Sequence, residues 1–181
     1  LPTSSPIKQA VLLVGGLGTR LRPLTLGRPK ALIPLLNRPL LSYQFDLLAR
    51  YGVRDIILAV CYHAEQLERE LGDGQRWGVR LRYVAEQQPL GTAGALKNVE
   101  ALIAGPFLAF NGDVIMDFDL GALMATHLQG AGGKDGAILT LCLRRVEDIS
   151  AFGLIRRDRD GRVTAFLEKR RHDETGQNTI N

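Results

Sequence analysis

QAVLLVGGLGTRLRPLT, residues Gln9 to Thr25, joins an apolar run to a loop with three glycines and two arginines. Gln9–Val14 is short, apolar and closed by Gly15-Gly16, the pattern of a strand buried on both faces. Outward from it the chain alternates. Pro39–Arg50 has helical apolar spacing and Asp55–Val60 is a second buried strand. His63–Leu71 is amphipathic, Leu81–Val84 is a short strand, and Thr92 stands where it could cap a helix running to about Leu102. Phe107–Phe110 is a fourth strand, Leu120–Leu128 a helix, and Ala137–Leu143 a further buried strand. Leu154–Arg156 and Val163–Glu168 flank Asp158-Arg159-Asp160-Gly161, which predicts a hairpin. Strands alternating with helices imply an α/β fold, with a mostly parallel sheet covered on both faces and the hairpin as an antiparallel addition.

At 181 residues the chain is expected to form one domain over 7–181, after a short polar tail at 1–6. A formal net charge of +4, not gathered into one block, suits an anionic small ligand and argues against nucleic acid. The single Trp argues against a base-stacking surface. No apolar run reaches membrane-spanning length and no leader pattern opens the sequence, so the expectation is no membrane and a cytoplasmic address. Cys61 and Cys142 read as buried free thiols in a reducing compartment. Cys61 and His63 lack a second Cys/His pair at ligand spacing, so no zinc site is expected.

In open α/β sheets ligands bind beyond the carboxyl ends of the strands. Three loops there stand out: Gly15–Thr25, Glu86–Gly94 and Asn111–Asp113. Glycine lets backbone N–H groups approach a phosphate, and Arg20 adds a fixed fork of donors. The loop is neither a Walker A motif nor the dinucleotide fingerprint, because its glycines fall at positions one, two and four; alone, it also fits a plain turn. Lys30, placed by Pro29, is either a solvated lysine or, beside that loop, a second phosphate clamp. Asp113 ends a strand with a carboxylate that could recruit Mg²⁺, which takes few protein oxygens; an Asx turn is the alternative. Glu86 could accept from a planar base lying against the small residues up to Gly94. Glu168-Lys169 fits a sugar hydroxyl acceptor and a phosphate clamp, or an exposed ion pair.

Taken in order, Gly15–Thr25, Pro29-Lys30, Leu90–Gly94, Asn111–Asp113 and Glu168-Lys169 resemble the motifs of sugar-1-phosphate nucleotidylyltransferases, the nucleotide-sugar pyrophosphorylases. Within that family the chain looks most like mannose-1-phosphate guanylyltransferases, carried by VGGLGTRLRPLT, EQQPLGTAGAL and the terminal NTIN. The resemblance implies a Rossmann-like nucleotide-diphospho-sugar transferase fold. It also implies transfer of a nucleotidyl group to a sugar 1-phosphate with release of pyrophosphate. Gly15, Gly16, Gly18, Thr19 and Arg20 would hold the triphosphate, with Lys30 against its phosphates and Asp113 on Mg²⁺. Glu86 and Gly91 would contact the base, and Gly153, Glu168, Lys169 and Asn181 the sugar phosphate.

The resemblance implies Arg20, Lys30 and Asp113 as the catalytic set and a nucleoside triphosphate and a sugar 1-phosphate as partners, with homo-oligomerisation left open. Glu86 favours guanine, since a carboxylate accepts N1–H and N2–H together, but Gln87 and Gln88 adjoin it and a glutamine suits uracil or thymine. Glucose-1-phosphate uridylyl- or thymidylyltransfer is therefore the same-class alternative, and a non-catalytic nucleotide-sugar-binding subunit the other. Arg170 and Ala31 stand where the family often has proline. Asn181 falls inside what resembles the family's sugar-binding strand, so the catalytic domain is expected to be incomplete there.

Overall fold

The computed structural model describes residues 7–130, 136–146, 153–167 and 179–180. They form two compact units, Leu1–Gly121 and Ala122–Asn181. In the first, the order is β1 (Gln9–Val14), a small hairpin of β2 (Pro34–Leu35) and β3 (Arg38–Pro39), α1 (Ser42–Arg50), β4 (Asp55–Val60), α2 (Ala64–Leu71), β5 (Arg80–Ala85), α3 (Gly91–Asn98) and β6 (Phe107–Asn111). The four long strands make one parallel sheet in the order β5-β4-β1-β6.

β1 is central, which is why its sequence is apolar without alternation: both faces are covered. Val11, with Ile57 and Ala59 of β4, packs on one face against Ala95 and Val99 from the α3 segment. Ala10, Leu12, Ile56 and Leu58 point the other way and are also fully buried. On α1, Phe45 and Leu48 lie one turn and two turns beyond Leu41, and all three are fully buried. Leu67 and Leu71 do the same for α2. The chain runs outward from β1 to β5, then returns to place β6 on the other side of β1. The strand order reverses between β1 and β6, and such a reversal opens a crevice at the carboxyl ends.

At the opposite end, Gln9 closes the sheet. Its Nε2 donates to Asp55 Oδ2 at 2.7 Å and to Leu102 O at 3.0 Å, and its Oε1 accepts from Ala104 N at 2.7 Å. Arg82 and Arg80 pair with the same Asp55 carboxylate at 2.7 and 3.2 Å. Burial works against the Asp55 charge, but the Gln9 hydrogen bond and the two arginines outweigh it and hold its pKa below the ordinary value.

α4 (Leu120–Gly130) carries the chain into the second unit. There β7 (Arg144–Arg145) pairs with β10 (Thr179–Ile180), and β8 (Leu154–Arg157) with β9 (Val163–Leu167), both antiparallel. The β8–β9 turn is the expected one: Asp158 Oδ1 accepts from Asp160 N and Arg162 N, and Gly161 takes φ +82°. Among the described residues the hairpin forms its own two-stranded sheet instead of extending the parallel one.

Three local expectations are corrected. Ala137–Leu143 is not a strand, and Ile138 is 99% exposed. An apolar run reports a preference for burial but carries no ladder partner of its own. Thr92 lies inside α3, which starts at Gly91 because that glycine's φ of +70° makes the turn into the helix. Cys61 is half-buried and Cys142 exposed, where buried thiols were expected.

Candidate functional site

β1 is followed by Gly15-Gly16, which line a cavity of about 390 Å³ at the carboxyl edge of the sheet. Gly18 then takes a left-handed conformation (φ +62°) and turns the loop back on itself. A Cβ there would sit 2.8 Å from Thr25 Cγ2 and 3.2 Å from Lys30 Cβ, so only glycine permits the approach. Thr25 Oγ1 donates to Gly18 O at 2.9 Å and locks the return. Pro29 precedes a single 3₁₀ turn, Lys30–Leu32, in which Ala31 and Leu32 are buried, and this anchorage delivers Lys30 to the cavity wall.

β6 supplies the opposite charge. Gly112 N donates to Leu13 O at 2.8 Å, tying the β6 tip to β1. A Cβ on Gly112 would meet Val14 Cγ2 at 2.8 Å, Leu13 O at 3.1 Å and Leu41 Cδ1 at 3.3 Å. The next residue, Asp113, lines the cavity, and its Oδ2 lies 2.8 Å from Lys30 Nζ. Both side chains keep substantial exposure, 25% for Lys30 and 45% for Asp113, so this pair adds little to stability and leaves both groups open to a ligand.

The third loop folds over its own carboxylate. Glu86 N donates to Val60 O at 2.7 Å, which fixes the residue beyond the end of β5, and Glu86 Oε2 accepts from Leu90 N at 3.1 Å. Glu86 is half-buried in the cavity wall, whereas Gln87 and Gln88 are exposed and line no part of it. Gly91 and Thr92 bring the first turn of α3 to the same wall. The leading N–H groups of a helix have no intrahelical acceptor and favour an anion.

Lys30, Asp113, Gly15, Gly16, Glu86 and Gly91 are thus brought together around one space. Gly18 and Thr19 are not in its wall, and Arg20, exposed in a one-turn 3₁₀ helix, Thr19–Leu21, is not among the lining residues either. Gly153 belongs to the second unit, just before β8. Glu168, Lys169 and Asn181 lie outside the described residues.

Cys61, Tyr62 and His63 also line the cavity, following β4. His63 adopts φ +60° at the N-terminus of α2, a conformation uncommon for a residue with a Cβ. Partial burial, with Cys61 beside it, pushes the Tyr62 phenol up, so it remains a neutral donor at neutral pH. Position alone was the signal for these residues: they follow a buried strand at the ligand edge. Among the described residues no group of three or more His, Cys, Asp or Glu could hold a metal. A single open carboxylate such as Asp113 suits Mg²⁺ that takes its remaining oxygens from phosphates and water.

The family model described as nucleotidyl transferase matches residues 9–181. A mannose-1-phosphate guanylyltransferase catalytic subunit beta of Drosophila pseudoobscura pseudoobscura is 42% identical over 165 residues, covering 89% of this chain and 43% of the relative. A mannose-1-phosphate guanylyltransferase of Mycobacterium tuberculosis is 41% identical over 169 residues, covering 93% of this chain and 46% of the relative. The chain therefore spans less than half the length of these relatives. Among solved structures, HddC from Yersinia pseudotuberculosis complexed with GMP-PN superposes with a TM-score of 0.71 at 28% identity, covering 96% of this chain and 72% of that one.

Proposed function

The chain belongs to the nucleotidyl transferase family, and from that premise we propose that it transfers guanylyl from GTP to mannose 1-phosphate, releasing pyrophosphate. One observation carries the reading: Lys30 and Asp113 meet at 2.8 Å where the strand order reverses, beside the Gly15-Gly16 backbone.

In this reading a phosphate oxygen of the sugar phosphate attacks the α-phosphorus of the triphosphate in line, and the β-phosphate oxygen leaves. The reaction needs no protein nucleophile; it needs two anions held together and negative charge met as it moves to the leaving group. Gly15 and Gly16 admit the triphosphate close to backbone, and Lys30 pairs with its phosphates. Arg20, from the same loop, is assigned in this reading to the charge of the phosphates as well. Asp113 would hold Mg²⁺, which would supply positive charge against the phosphates. Glu86 accepts from the base, and its place in the wall, with Gln87 and Gln88 outside, favours guanine over uracil or thymine. Gly153, Glu168, Lys169 and Asn181 are the residues proposed to bind the sugar phosphate. Two free cysteines accord with a cytoplasmic setting, and the names of the relatives support the choice of base and sugar.

The test is pyrophosphate release by the intact protein from four nucleoside triphosphates against several sugar 1-phosphates with Mg²⁺. Turnover is expected with GTP and mannose 1-phosphate. Turnover with UTP or dTTP and glucose 1-phosphate instead would overturn the guanylyl assignment.

A further inference from the structure

We propose that Gln44 is a positioning residue for this reaction: its carboxamide fixes the turn that aims the Asp113 carboxylate. The inference rests on the reading above, in which Asp113 holds the metal. Gln44 is 2% exposed and sits in the first turn of α1. Its Nε2 donates to Asn111 O at 2.8 Å and to Val114 O at 2.6 Å. These carbonyls bracket Asn111-Gly112-Asp113-Val114, so one amide group spans the turn from both sides. Both contacts are to acceptors, which fixes which end of the amide faces the turn.

Gln44 Oε1 is buried and finds no partner among the described residues. A buried acceptor left unpaired is unfavourable. On a helical face whose other members, Leu41, Phe45 and Leu48, are fully buried apolar residues, the two donated hydrogen bonds are what the amide contributes. The sequence held a signal for it: Leu41, Gln44, Phe45 and Leu48 share one helical face, and the only polar member is Gln44. The turn's other ties are Gly112 N to Leu13 O, which secures its near side, and the Lys30 ion pair on the Asp113 side chain; the backbone after Asp113 is left to Gln44 alone among the described residues.

Gln44→Met keeps the length and packing of the side chain and donates nothing. GTP affinity is measured by calorimetry in Mg²⁺ and in EDTA for wild type, Gln44→Met, Asp113→Ala and the double variant. Gln44→Met is expected to cut the Mg²⁺-dependent gain in affinity about tenfold while leaving the EDTA affinity within about twofold. Asp113→Ala is expected to abolish the gain, and adding Gln44→Met to it to remove nothing further. A wild-type gain in Gln44→Met, or losses that add in the double variant, would overturn the positioning role alone. A gain that survives Asp113→Ala would overturn both it and the metal reading. If Gln44→Met does not fold, Gln44→Asn takes its place: one methylene short of spanning both carbonyls, it is expected to lose about threefold of the gain, and no loss overturns the proposal.

Discussion

Asp55 and Asp113 stand at opposite ends of the same parallel sheet. Asp55 opens β4, where Gln9, Arg80 and Arg82 surround its carboxylate. Asp113 follows β6, where Lys30 alone among the described residues meets one of its oxygens and the rest faces a cavity. The first carboxylate has its interactions completed by the fold; the second is held in place by the fold and left with capacity to spare. Partner count and burial both separate the two roles, with side-chain exposure of 17% for Asp55 and 45% for Asp113, whereas charge does not, since both residues are acids at strand ends.

Asp113→Ala is the strongest way to test that contrast. Nucleotidyl transfer is expected to fall by about 10³-fold or more, with unfolding free energy within about 0.5 kcal/mol of wild type because the side chain is exposed. Pyrophosphate release and urea denaturation read the two separately; a large stability loss would erase the distinction.

Asp55→Asn should do the reverse. It is expected to cost about 1–3 kcal/mol of stability by unpairing partly buried donors, while kcat/KM of the folded protein stays within about twofold. Because the folded pKa of Asp55 is lowered, its contribution is present above the ordinary carboxylate range, near pH 4, and disappears as pH falls through the folded value. Denaturation midpoints followed downward from about pH 5 should therefore drop more steeply in wild type than in Asp55→Asn.

The smallest effects sharpen the picture of the third loop. Glu86→Gln is expected to move the GTP-to-UTP preference by about tenfold, the scale of one misplaced hydrogen bond. Gln88→Ala should shift it by less than about twofold, since Gln88 is outside the cavity wall. Equal effects from the two substitutions would return the choice between them to an open question.

Much of this arrangement was legible in the residues themselves. Gln9–Val14 read as a strand buried on both faces, which the centre of the sheet supplies, and the loops after buried strands converge as their positions require. Motif order also brought Lys30 and Asp113 to one end of the sheet, because parallel strands put every following loop on the same side. Contributions made through space were harder to read. Tyr62 and His63 carry no motif and enter the wall through where β4 stops, and His63 through a backbone conformation that its side chain does not advertise. Arg20 shows the converse: adjacency in a glycine-rich loop did not bring it to the wall, since Gly18 reverses the chain first. Ala137–Leu143 had the composition of a buried strand but pairs with none among the described residues.

Gly112 has a consequence for motion. Its backbone is pressed against Val14 and Leu13 too closely for a methyl group to fit, and a hydrogen bond spans the same seam. The β6 tip and the end of β1 are therefore coupled: a shift of one strains the contact and the hydrogen bond that join it to the other.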